Sequence, residues 1–312
     1  MCKTVLVTGA GGFIGLNTVK EYVNAGWQVY ALVHKNIPEE LRNMANVEII
    51  QGDVTSESFV NSLNLNVDVV AHIAGLASDI GKDEVFRKIN FEPIKYLSKV
   101  PKNKIVYVSS SDVYGIKDFK NAGEGTPLCE YPKNPYPHYK IMSENWLTEN
   151  CKNYVIIRPA AVWGEGDKTL ENRFIDFLKT SPFIVHFGKW KGTNRWPLAN
   201  VENVAKTIVA VSEMDDYDNQ AVTIIDPEKT TIDEYYRNLA KKYFPNKTFK
   251  SITLPMWIGK VIGFISSTLG NISKKWAFDP TYYAVHHVSS NMDFSSDKML
   301  KIIEKYDLIH NN

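Results

Sequence analysis

The stretch KTVLVTGAGGFIG, residues 3–15, constrains this chain more than any other, because it joins a buried strand to a phosphate-sized turn. Val5, Leu6 and Val7 form an unbroken apolar run, the pattern of a strand covered on both faces of a parallel sheet. Gly9, Gly12 and Gly15 follow at regular spacing. The first permits a tight turn, the second lets backbone approach a pyrophosphate, and the third lets the next helix lie close to the sheet. That helix runs to about residue 25; its first amides, at Phe13 and Ile14, point at the phosphates. A second apolar strand, 28–33, closes a βαβ unit, which favours a dinucleotide site over a merely structural turn.

At 312 residues the chain is long enough for one large α/β domain, or for one with a smaller lobe added. Lysine and arginine number 36 against 35 acidic residues, so no net field favours nucleic acid. Cys2, Cys129 and Cys151 show no CxxC spacing, which indicates neither a disulfide framework nor a metal site and fits a reducing, cytoplasmic setting. The first strand begins too early to leave room for a signal peptide. The most apolar later stretch, 254–269, carries Lys260 and falls short of the ~20 residues of a membrane span, so it is expected as a lid or core helix. A membrane is not an expected partner; the lesser alternative is surface attachment through Trp257, Ile258, Val261, Ile262 and Phe264.

Further apolar runs predict strands at 47–51, 67–73, 105–109 and 154–157. Helices are expected over 56–63, over 83–97 and from 136; Asp83 caps the second and Pro93 breaks it near Asn90. Beyond these, helices 170–179 and 201–213 with strands 183–187 and 222–225 read as an interleaved second lobe. The alternation predicts an α/β fold: a Rossmann-type doubly wound parallel sheet with a smaller C-terminal substrate lobe. The expected division is a dinucleotide domain, 1–165, and a mainly substrate-binding lobe, 166–312, interleaved with the last sheet elements.

Chemistry points to Ser110 at a strand end and to Tyr136 and Lys140, which share a helix face at i and i+4. A free phenol has a pKa of about 10, and a nearby ammonium favours its ionised form, suiting Tyr136 to general acid/base work. Such Tyr/Lys pairs are common by chance; the upstream dinucleotide turn gives this one weight. The segments TGAGGFIG, YVSSSDVYG, NPYPHYK and IIRPAAVWGEGD together resemble the extended short-chain dehydrogenase/reductases, which include nucleotide-sugar epimerases and dehydratases, over nearly the whole chain.

The resemblance implies that Ser110, Tyr136 and Lys140 are the catalytic triad, with Lys140 also holding the nicotinamide ribose. It implies that Asp53 and Val54 contact adenine, and that Ile73, Ala74, Gly75, Asn90, Ser109, Pro159, Ala160 and Val162 lie along the cofactor. Ser111, Asp112, Trp163 and Arg195 are the expected substrate contacts, Arg195 for a phosphate. Trp190 and Trp196 sit in the same region and could equally be packing residues. GEGD at 164–167, VENVA at 201–205 and LPMWIG resemble the 3β-hydroxysteroid dehydrogenase branch.

Three departures stand out. Strand two ends in His34 and Lys35 with no carboxylate nearby, which favours NADP over NAD. Pro137 and Trp163 are atypical and reshape the substrate side. His286 and His287, if on a strand, face opposite ways and read as surface residues. The expectation is an NAD(P)-dependent epimerase, dehydratase or reductase moving hydride at a secondary alcohol or ketone, first of all of a nucleotide-linked sugar. The alternatives are a 3β-hydroxysteroid dehydrogenase-like oxidoreductase for an apolar substrate and a non-catalytic dinucleotide sensor. A small-molecule substrate is the expected partner, and a homodimer is allowed.

Overall fold

The computed structural model describes residues 2–310. Its first half alternates β1 (Thr4–Thr8), α1 (Phe13–Asn24), β2 (Gln28–Val33), α2 (Glu39–Arg42), β3 (Val47–Gln51), α3 (Glu57–Ser62), β4 (Val67–His72), α4 (Asp83–Phe86), α5 (Glu92–Leu97) and β5 (Lys102–Val108). There follow β6 (Phe119–Ala122), α6 (Pro135–Asn150), β7 (Tyr154–Pro159), β8 (Ala161–Trp163), α7 (Leu170–Thr180), β9 (Phe183–Phe187), β10 (Leu198–Asn200), α8 (Val201–Glu213) and β11 (Gln220–Ile224). The chain closes with α9 (Ile232–Tyr243), β12 (Lys250–Leu254), α10 (Met256–Ile272), α11 (Tyr282–Ser289), β13 (Met292–Phe294) and α12 (Asp297–His310).

Seven strands make one parallel sheet in the order β11-β7-β5-β4-β1-β2-β3. From β1 the chain winds outward through β2 and β3, then returns to β4 and winds the other way, so the crevice beyond the β1 and β4 ends is the topological switch point. Both sheet faces are covered. Val5 and Val7 face a core with Val19, Val204 and Ile208, from α1 and α8, while Leu6 faces Ile94, Leu97 and Leu147, from α5 and α6. Truncating a fully buried side chain such as Leu6 to alanine costs about 2–5 kcal/mol.

A third apolar cluster, Phe174, Leu178, Ile184, Trp196, Tyr235 and Leu239, joins α7, α9 and β9 beyond the strand ends. β11 in the main sheet and α12 against α8 return the C-terminal half to the first core.

The helix expected over 83–97 is interrupted: a π turn, Arg87–Phe91, separates α4 from α5, and Pro93 sits in the first turn of α5. Asp83 is not the cap. Lys82 holds that position, and the Asp83 carboxylate instead accepts the Tyr139 hydroxyl at 2.6 Å. His286 and His287 lie on a helix, not a strand, because the Thr281 side chain accepts the Ala284 N–H at 3.1 Å and starts α11. The 254–269 stretch is not a core helix: α10 turns Gly259, Gly263, Ser266 and Gly270 inward and Trp257, Val261, Phe264 and Ile265 outward.

Candidate functional site

A cleft of about 1260 Å³ opens at the switch point and extends under α10 and α11. Every expected site residue lines it except Asn90, Trp163 and Arg195. Asn90 is buried behind the wall, where its amide donates to the Leu76 carbonyl at 3.0 Å and accepts the Leu76 N–H at 2.7 Å, fixing the loop after β4. Trp163 turns away to donate to Asp226 at 2.6 Å. The Arg195 guanidinium donates to the Lys229 carbonyl, so it braces a loop instead of facing substrate. Of the neighbouring tryptophans, Trp196 lines the cleft, while Trp190 donates to Asp118 at 2.9 Å.

At the dinucleotide end, Gly9 has φ +71°, and a Cβ there would lie 2.8 Å from the Ala74 nitrogen. A Cβ at Gly15 would lie 2.0 Å from the Gly9 carbonyl oxygen, so the turn and helix α1 close on each other only without side chains. Thr8 holds the other wall. Its Oγ1 accepts the N–H groups of Ile73 and Ala74, each at 3.2 Å, and shares a hydrogen bond with His72 Nδ1 at 2.7 Å. Burial pulls the His72 pKa down to about 3, which leaves the ring neutral. The buried Ser109 Oγ, on the cleft wall, has no partner among the described residues. A backbone cradle at a helix start and a waiting hydroxyl fit a nicotinamide dinucleotide.

Beyond strand two, Lys35 is exposed, and the His34 ring lies 3.8 Å from the Asp53 carboxylate. Burial opposes ionisation of Asp53, but the Thr55 N–H and the nearby His34 hold its pKa below the usual value. The expectation of no carboxylate at this end is therefore corrected: β3 delivers Asp53 from another strand.

At the reacting end, Asn134 caps α6 by accepting the Tyr136 N–H at 2.8 Å, and Tyr136 lines the cleft together with Ser110. Ser110 Oγ accepts the Asp112 N–H at 3.2 Å. Lys140 is buried, donates to the Val108 carbonyl at 2.7 Å, and lies 4.8 Å from the centre of the Tyr107 ring. Burial, only partly opposed by Glu144, lowers its pKa to about 7. Tyr136 moves the other way. Burial and the negative Asp112 push its pKa up, against the Ser110 hydroxyl, so the expected depression by Lys140 is not what the geometry produces.

The sequence reading missed several residues here. The Asp112 carboxylate accepts the Tyr283 hydroxyl at 2.7 Å and stands 3.1 Å from His287. Burial opposes charge on both partners, yet the pair lowers the Asp112 pKa and raises that of His287. Arg173 pairs with Asp279 at 2.6 Å and with Asp79. Reading 281–289 as a helix would have placed Tyr283 and His287 on one face at i and i+4.

Known proteins align with this geometry. The chain is 26% identical to a sterol-4-alpha-carboxylate 3-dehydrogenase, decarboxylating, of Candida albicans over 88% of its own length and 84% of that protein's. It is 28% identical to a 3-beta-hydroxysteroid dehydrogenase of Mycolicibacterium neoaurum, a match covering 53% of this chain and 49% of that one. Among solved structures, a Bacillus cereus UDP-glucuronic acid 4-epimerase in complex with UDP-glucuronic acid and NAD superposes with a TM-score of 0.65 at 21% identity, over 81% of this chain and 86% of that chain. Residues 5–224 match the NAD dependent epimerase/dehydratase family. The chain belongs to that family and is an enzyme of the extended short-chain dehydrogenase/reductase type.

Proposed function

We propose that this enzyme is an NAD(P)-dependent oxidoreductase acting at a secondary alcohol or ketone of an apolar substrate. One observation carries the choice of substrate. The outer half of the cleft is walled by Phe174, Phe177, Phe187, Trp196, Leu254 and Ile262, and its Arg173 is already held by two carboxylates. The order of preference drawn from sequence is thereby reversed. A nucleotide-linked sugar remains the second reading, favoured by the UDP-sugar enzyme that shares the fold, but its diphosphate would have to draw Arg173 away from Asp79 and Asp279.

A bound nicotinamide supplies or accepts the hydride. Gly9, Gly12, Phe13, Ile14 and Gly15 would hold its pyrophosphate, Lys140 and Ser109 its ribose end, and Ile73, Ala74, Gly75, Pro159, Ala160 and Val162 its flanks. Burial keeps the Tyr136 phenol protonated at neutral pH, so it donates that proton to a substrate carbonyl oxygen in reduction; in oxidation the phenol first gives its proton to solvent, and the phenolate then takes the hydroxyl proton. Ser110, whose hydroxyl is near enough to the phenol to favour its ionisation, would orient the same oxygen. Lys35 and His34 favour NADP, whereas Asp53 suits a free ribose hydroxyl. The reading also keeps the 1–165 and 166–312 division and a cytoplasmic setting.

The test is a paired assay of hydroxysteroids and their ketones against UDP-sugars, each with both dinucleotides. Turnover of an apolar alcohol or ketone is expected. Turnover confined to UDP-sugars would overturn the reading.

A further inference from the structure

α10 is built inside out. A Cβ at Gly259 would meet the Phe187 ring at 2.7 Å, and one at Gly263 would meet the Tyr282 Cα at 2.7 Å, so the helix is seated by its small side. Four of its large residues face solvent: Trp257 is 66% exposed and Phe264 65%, with Val261 and Ile265 completing a stripe at i, i+4, i+7 and i+8. Ile272, Trp276 and Phe278 extend the exposed apolar surface past the helix end. Isolated exposed apolar residues are ordinary, but a continuous stripe of this kind marks a contact surface.

Charge identifies what covers it. Between Glu234 and Asp279 the sequence holds eight basic residues and no acidic one. Lys260, Lys274 and Lys275 stand exposed in the apolar segment itself, with no carboxylate partner among the described residues. Tryptophan at each end of a bulky apolar stripe, flanked by lysine, has the composition of a helix lying in a bilayer interface. A second copy is a poorer occupant, since a two-fold contact would bring two lysine-bearing segments together with no carboxylate in either to pair with them. No helix among the described residues is long and apolar enough to cross a membrane.

From these we infer that α10 and the segment to Phe278 dock the enzyme onto an anionic membrane surface. The inner side of the same helix puts Ile262 in the cleft wall. One helix therefore separates the apolar cleft from the lipid, which suits a substrate dissolved in that lipid.

The test is co-sedimentation of the full chain with phosphatidylcholine vesicles, with and without about 30% phosphatidylserine. Binding to the anionic vesicles that weakens with salt is expected. The Trp257→Ser, Phe264→Ser, Ile265→Ser triple variant should lose roughly 100-fold in partitioning while keeping its circular dichroism and dinucleotide affinity. Should that variant misfold, reversing Lys260, Lys274 and Lys275 to glutamate gives a second arm, with a loss of about 100-fold. Wild-type protein that ignores both vesicles, or reversed-charge protein that binds as tightly as wild type, would overturn the proposal. So would a wild-type dimer in ultracentrifugation that the serine variant converts to monomer, since a second copy would then cover the face. Vesicle binding needs no turnover, so failure here leaves the reading of the cleft intact.

Discussion

The His287 imidazole lies 3.1 Å from the Asp112 carboxylate, and both line the cleft that Tyr136 also lines. A raised histidine pKa is a stabilising contribution that is complete below the unfolded value near 6.5 and lost as pH rises through the folded value. Asp112, with its lowered pKa, contributes above its unfolded value and loses that contribution in acid. His287→Gln should therefore cost about 2 kcal/mol near pH 6. The gap to wild type should close as pH rises past the folded His287 pKa. Thermal melts of both proteins across pH 5–9 check this, and a gap independent of pH would count against the ion pair.

Catalysis should separate from binding at Tyr136. Tyr136→Phe removes one hydroxyl, so turnover should fall ~10²–10⁴-fold with dinucleotide affinity kept. Ser110→Ala should impair turnover with the same affinity. Steady-state kinetics beside fluorescence titration of the dinucleotide is the measurement.

Lys140 is the opposite case, a buried ammonium whose pKa of about 7 means that folding disfavours its charge. The unfolded chain binds its proton more tightly, so stability rises with pH between 7 and the ordinary lysine value. Lys140→Met should abolish turnover and weaken cofactor binding, yet raise the melting temperature at neutral pH by about 2–5 °C. A lower melting temperature would show that the bond to the Val108 carbonyl outweighs desolvation.

Two glycines of the turn, Gly15 and Gly12, should fail in different ways. Gly15→Ala drives a methyl into the Gly9 carbonyl and should prevent folding. Gly12 has more room, its nearest neighbour being the Gly9 oxygen at 3.3 Å. Gly12→Val should leave a folded protein that no longer binds dinucleotide, seen as normal circular dichroism with no heat in titration calorimetry.

Lys35→Ala should weaken NADPH binding by roughly tenfold, the loss of one charge-assisted contact, and leave NADH unchanged. Equal losses for the two dinucleotides would assign the 2′ position to Asp53.

The central strands could be read from the sequence because most of their residues are buried, so runs such as Val29 to Val33 need no partner to be recognised. Ser110, Tyr136 and Lys140 were readable for a similar reason: a strand end and one helix turn fix their placement locally. His287 was not, since its role depends on Asp112, which only the fold brings to it. The place of Arg195 was not legible either, its guanidinium held outside the cleft by a carbonyl 34 positions along the chain. The exposed side of α10 could be misread because an apolar run says that something covers it, not whether that is protein.

The cleft takes its two ends from separate stretches of chain. The dinucleotide end comes from residues before 76 and the strand ends up to 162, whereas the apolar wall comes from residues 169–288. A change at Phe177, Leu254 or Val288 alters what fits outside without moving Gly9 relative to Tyr136. Selection can thus exchange the substrate of such a molecule piecemeal, each step leaving a working hydride machine behind.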